Sequence, residues 1–128
     1  MISIVDDDVF VRRATENLLL SLGFEVVTFE SAEAFLESGR IDDTSCLIVD
    51  VQMPGSTGLD LQQRLIDLGK HVPTIFITAF FSERARTQAL EAGAVGFLRK
   101  PFGEDSLIEC LSRALEGPKL STSLPAAL

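Results

Sequence analysis

The run Cys46-Leu47-Ile48-Val49-Asp50-Val51-Gln52-Met53-Pro54-Gly55 decides how this chain is read. Its first four residues are continuously apolar, the pattern of a strand buried on both faces. The run then ends in a carboxylate followed by a Pro-Gly turn, so Asp50 stands at the carboxyl end of a buried strand. In open α/β sheets that edge is where ligands bind, which makes Asp50 a functional candidate. An aspartate that merely caps a helix or closes a turn would look the same in isolation.

Working outward, Ile2 to Val5 is a short apolar run stopped by Asp6, Asp7 and Asp8. Val9 to Gly23 carries Val11, Ala14, Thr15, Leu18, Leu19 and Leu22 on one helical stripe. Phe24 to Phe29 mixes apolar residues with Glu25 and Thr28, as an edge strand does, and Ser31 caps a short helix with Ala32, Phe35 and Leu36 inward, closed at Ser38-Gly39. Beyond the central strand, Thr57 and Asp60 predict a capping box, and Leu61, Leu65 and Leu68 a buried stripe up to Gly69. Thr74 to Thr78 is a fourth strand, ended by a hydroxyl. Ser82 opens a fourth helix whose stripe is only Ala85, Ala89 and Ala92, so little burial would hold it. Val95 to Lys100 is a fifth strand, and Glu104 to Leu115 a last helix with Leu107, Leu111 and Ala114 inward. Gly117-Pro118 should break that helix, leaving residues 117–128 as a flexible tail or linker after a domain of residues 1–116.

Strict alternation of strand and helix predicts a parallel, doubly wound sheet with helices on both faces, a three-layer flavodoxin-like α/β sandwich of order 2-1-3-4-5. That order sets Asp6 and Asp7 beside Asp50, with Thr78 and Lys100 on the other side of Asp50. Three carboxylates so crowded repel one another unless a cation shares the site. All-oxygen ligands, too few for a calcium cage, suit Mg²⁺ with retained waters. Lys100, the Thr78 hydroxyl and the backbone N–H groups beyond Asp50 suit a phosphoryl group. With no cysteine or histidine placed nearby, the nucleophile must be a carboxylate, and Asp50 is the central one.

Composition narrows the function classes. Eleven Lys and Arg against 19 Asp and Glu give a net charge of −8, which argues against nucleic-acid binding by this chain. Cys46 and Cys110 lack metal or redox spacing and read as small core residues, and His71, the only histidine, as a solvated loop residue. No apolar run approaches the ~18 residues of a membrane span, so a cytoplasmic location is expected.

The acid pair in Ile4-Val5-Asp6-Asp7, the Asp50-x-x-Met53-Pro54-Gly55 turn, Ile77-Thr78-Ala79 and Lys100-Pro101-Phe102 together resemble the receiver domains of two-component response regulators. Ser31-Ala32-Glu33-Ala34-Phe35-Leu36 and Ala92-Gly93-Ala94-Val95-Gly96-Phe97 bring it nearest the FixJ type. The resemblance implies that Asp50 accepts a phosphoryl group from a sensor histidine kinase. Asp6, Asp7, Asp50 and the Gln52 carbonyl would hold Mg²⁺, Thr78, Ala79 and Lys100 would bind the phosphoryl group, and Lys100-Pro101 would be cis. Thr78 and Phe97 would be the switch residues, altering the surface of the fourth helix, fifth strand and fifth helix to control a transcriptional output, with a homodimer formed through the fourth helix and fifth strand. Such a domain is a phosphoacceptor that assists its own phosphorylation and dephosphorylation rather than an enzyme acting on other substrates. Asp8 falls outside the acid pair and reads as a cap of the first helix.

Two departures from the pattern stand out. Phe80-Phe81 puts two aromatics beside the mouth of the site, which favours a contact or partner surface. Gln52 replaces the arginine or asparagine common at its position. Nothing after Leu115 resembles a helix-turn-helix, so either the regulator is a single domain or a DNA-binding output would lie outside this chain. Three rivals compete with this reading. A haloacid-dehalogenase-type phosphatase wants a general acid where Gln52 stands, and a flavodoxin relative would not set three acids at its phosphate loop. A phosphorylation-independent interaction module has no need of Asp6, Asp7, Asp50, Thr78 and Lys100 together.

Overall fold

Thr57 and Asp60 show how locally much of this fold is specified. The Thr57 hydroxyl accepts the Asp60 N–H at 3.2 Å and the Asp60 carboxylate accepts the Thr57 N–H at 3.0 Å, closing the expected capping box. Asp8 and Ser31 cap their helices in the same way, each accepting from the first turn. The computed structural model describes the backbone of residues 1–126 and the side chains of residues 1–115. Five strands alternate with five helices: β1 (Ile2–Val5), α1 (Val9–Ser21), β2 (Val26–Phe29), α2 (Ala32–Glu37), β3 (Cys46–Asp50), α3 (Gly58–Asp67), β4 (Thr74–Thr78), α4 (Glu83–Glu91), β5 (Gly96–Arg99) and α5 (Glu104–Ala126).

The strands form one parallel sheet in the order β2-β1-β3-β4-β5, as expected for the flavodoxin-like arrangement. Side chains alternate across it. Cys46 and Ile48 pack with Leu19, Leu107 and Leu111 on the side of α1 and α5, while Leu47 and Val49 pack with Phe35, Leu61 and Leu65 on the side of α2 and α3. Every residue of β3 is buried, and half-buried β2 is an edge strand. Both cysteines are buried free thiols, and burial pushes the Cys46 thiol up to about 12. His71 is exposed in the loop before β4.

Several sequence expectations need correction. Ala14 is exposed, and Leu22 and Leu68 lie 41% and 56% exposed. Both leucines are C-caps, where the helix ends and the inward stripe ends with it. Of the α4 stripe only Ala89 is buried, so this helix is held even more lightly than predicted. The last helix does not stop at Gly117-Pro118, because its backbone stays helical to Ala126. A proline removes one hydrogen bond from an established helix, and propagation from a packed first half continues past it. For residues 127–128 the expected tail or linker lies outside the described residues. Among the described residues no helix is long and apolar enough to cross a membrane.

Candidate functional site

The register of the sheet assembles the site. Val5 pairs with Val49 and Asp50 with Ile77, so the acids following β1 lie beside the end of β3, and Thr78 ends the neighbouring strand opposite Arg99. Asp6, Asp7 and Asp50 each offer a carboxylate oxygen, all within 4.8 Å of one another. Asp6 and Asp50 are buried, whereas Asp7 is exposed.

Asp50 is 4% exposed and held at both oxygens. Its Oδ1 accepts the Gln52 N–H at 2.9 Å and its Oδ2 accepts Lys100 Nζ at 2.8 Å. Lys100 also lies 3.1 Å from Asp6 Oδ2, so one ammonium bridges two carboxylates instead of standing to one side of Asp50 as the sequence suggests. Burial opposes the charge on Lys100, but its hydrogen bond to Asp50 and the attraction of Asp6 outweigh that and raise its pKa. Burial pushes Asp6 up to about 6 against the partial relief of the Asp8 N–H and Lys100. Asp6 Oδ1 accepts that N–H at 2.9 Å, while the fully buried Oδ2 meets only the Lys100 ammonium. The peptide bond between Lys100 and Pro101 is cis.

Three carboxylates and one ammonium leave a formal charge of −2. A hard divalent cation fits that deficit and the all-oxygen donor set.

Thr78 is fully buried, and its hydroxyl turns away from the acids to Phe80, accepting the Phe80 N–H at 3.0 Å and donating to the Phe80 carbonyl at 3.1 Å. Ala79 lies exposed beside Lys100 along the groove between α1 and the start of α5. Phe97 is half-buried between Phe76 and Phe81, with ring centroids 6.2 Å and 6.0 Å away. The two adjacent aromatics therefore part company: Phe81 covers Phe97 and carries the Arg99 guanidinium 4.6 Å over its face, while Phe80 remains 73% exposed.

Residues 2–112 match the family described as response regulator receiver domain. The chain belongs to the response regulator receiver family. Nodulation protein W of Bradyrhizobium diazoefficiens is 43% identical over 116 residues, which cover 91% of this chain and 51% of that protein. Transcriptional regulatory protein FixJ of Rhizobium meliloti is 37% identical over 115 residues, covering 90% of this chain and 56% of that one. The solved structure of the response regulator StyR superposes with a TM-score of 0.84 at 40% identity, covering 98% of this chain and 62% of that chain. This receiver therefore spans about half the length of the curated relatives, which include transcriptional regulators.

Sequence reasoning missed two residues of the receiver's site. A Cβ at Gly58 would lie 2.5 Å from the Asp50 carbonyl oxygen, so only glycine lets α3 begin this close to the end of β3. Its place just inside the Thr57 cap was the available signal. The other is Arg12, whose Nη1 donates to the Asp6 carbonyl at 2.6 Å, and one of two adjacent arginines on α1 carries no such signal in the sequence.

Proposed function

We propose that this receiver accepts a phosphoryl group on Asp50 from a phosphohistidine of a sensor histidine kinase. The observation that carries the reading is Asp50 itself, buried at the end of β3, hydrogen-bonded by Gln52 and Lys100 and crowded by Asp6 and Asp7. One Asp50 oxygen attacks phosphorus as the P–N bond breaks, forming an acyl phosphate, and the imidazole leaves with the electron pair and takes up a proton. Asp6, Asp7, Asp50 and the Gln52 carbonyl hold Mg²⁺, which supplies neutralisation of the phosphoryl oxygens when bound. Lys100 turns from the carboxylates to the phosphoryl oxygens, and the Ala79 N–H and Thr78 hydroxyl donate to them.

The added ~1.5 to 2 negative charges draw the Thr78 hydroxyl away from Phe80. Phe97 then moves inward, and the lightly held α4 shifts with β5 and α5. This altered surface supports a phosphorylation-strengthened homodimer through α4 and β5 and a transcriptional output in a cytoplasmic two-component pathway. Residues 1–116 form the receiver unit in this reading.

Intact-protein mass after incubation with acetyl phosphate and Mg²⁺ tests the proposal. One phosphoryl group should be gained, and the gain should vanish in Asp50→Asn and with chelator. No gain in the wild type, with Mg²⁺ binding established separately, would turn attention to the interaction-module reading and to the exposed Phe80.

A further inference from the structure

Asp6 is held by a partner at each of its polar atoms. Its N–H donates to the Phe29 carbonyl at 3.1 Å, which ties it to β2. Its Oδ1 accepts the Asp8 N–H at 2.9 Å, which closes the loop into α1. Its carbonyl accepts Arg12 Nη1 at 2.6 Å in a half-buried, charge-assisted bond, and its buried Oδ2 pairs with Lys100 Nζ at 3.1 Å. The Asp6 carbonyl shares a rigid peptide plane with the Asp7 N–H, so the group that holds this carbonyl also sets the direction in which Asp7 leaves the strand.

Arg12 is well placed for that task. The cap at Asp8 and the Arg12 N–H bond to the Asp8 carbonyl at 2.9 Å fix the first turn of α1, and the guanidinium reaches back from it across six residues. No carboxylate lies within ion-pair distance of Arg12 among the described residues, so its visible partner is the backbone of the loop.

We propose that Arg12 is a positioning residue for the cation site, orienting the Asp6–Asp7 peptide so that the exposed Asp7 carboxylate converges with Asp6 and Asp50. The inference rests on the receiver reading and its Mg²⁺ site. It differs in sign from a purely electrostatic role. A cation beside a cation site weakens binding, so if charge were the main effect, removing Arg12 would tighten Mg²⁺, whereas loss of positioning loosens it.

Calorimetric Mg²⁺ titration of the unphosphorylated protein decides between them, run on the wild type, Arg12→Ala, Arg12→Lys and the neighbouring exposed Arg13→Ala. Arg12→Ala should weaken Mg²⁺ about tenfold, the scale of losing a group that orients a metal ligand, with Arg13→Ala unchanged. Arg12→Lys keeps the charge but loses the planar fork and should weaken binding about threefold. The Asp7 amide resonance of the metal-free protein should move in both Arg12 variants. Unchanged or tighter binding in Arg12→Ala, or wild-type affinity in Arg12→Lys, overturns the proposal. If Arg12→Ala does not fold, Arg12→Lys decides alone. A wild type that binds no Mg²⁺ would instead remove the receiver chemistry on which the inference rests, and the inference with it.

Discussion

Asp6 gives the site a pH signature of its own. Its carboxyl is raised from 3.8 to about 6 by burial, so between those values the native chain holds a proton that the unfolded chain has released. Stability from this group is therefore greatest at low pH and falls as pH rises through about 6, opposite to an ordinary paired carboxylate. In metal-free buffer Asp6→Asn should gain about 2 kcal/mol on the wild type between about pH 4.5 and about pH 7.5, measured by urea unfolding. A difference independent of pH would contradict this. Gly58 makes a second, steric prediction. Because its Cβ would meet the Asp50 carbonyl at 2.5 Å, Gly58→Ala should cost about 2–3 kcal/mol of stability, whereas alanine at an ordinary helix position stabilises. Thermal unfolding of that single variant checks it.

Helix α4 is the least anchored of the helices, with Ala89 its only buried residue, helped by Gln62 Nε2 donating to the Ala89 carbonyl at 3.2 Å. Its amides should exchange with deuterium faster than those of α3, which buries Leu61 and Leu65. Equal protection in the two helices would count against α4 as the moving element. Phe81 and Phe80, adjacent in sequence, should separate in experiment as they do in space. Phe81→Ala removes an edge-on contact with Phe97 and the ring beneath Arg99, and should cost about 1–2 kcal/mol. Phe80→Ala should change stability by less than about 0.5 kcal/mol. Their sequence suggested one shared contact role. Which ring turned inward depended on the path of the β4–α4 loop across Phe97, and no local pattern encodes that path.

The whole domain should respond to the cation proposed for its edge. At ~100 times its Kd, Mg²⁺ should raise unfolding stability by about 2.7 kcal/mol at pH 7, and Asp50→Asn should lower that increment. Phosphorylation is expected to shift the protein toward a dimer in sedimentation velocity, and a sedimentation profile unchanged at full phosphorylation would argue against the α4–β5 association. The net charge of −8 opposes self-association, so the shift should grow with salt.

Strand and helix alternation, the buried β3 run, the Thr57 capping box and the identity of the acids, hydroxyl and lysine were all legible in the chain by itself. They are properties of short windows, in which period, caps and turn residues act over a few positions. The resemblance to receivers rested on four such windows in order. Parallel pairing brings them to one edge, and the order 2-1-3-4-5, favoured by strand count, is the one the sheet adopts. Contacts between side chains far apart in sequence were another matter. Lys100 bridging Asp6 and Asp50, Arg12 on the Asp6 carbonyl, the glycine-only approach of α3 at Gly58 and the Phe76–Phe97–Phe81 stack all depend on distances of a few ångströms between separate elements. Those distances follow from how the helices pack on the sheet, and packing sums over the entire core rather than over any one stretch of it.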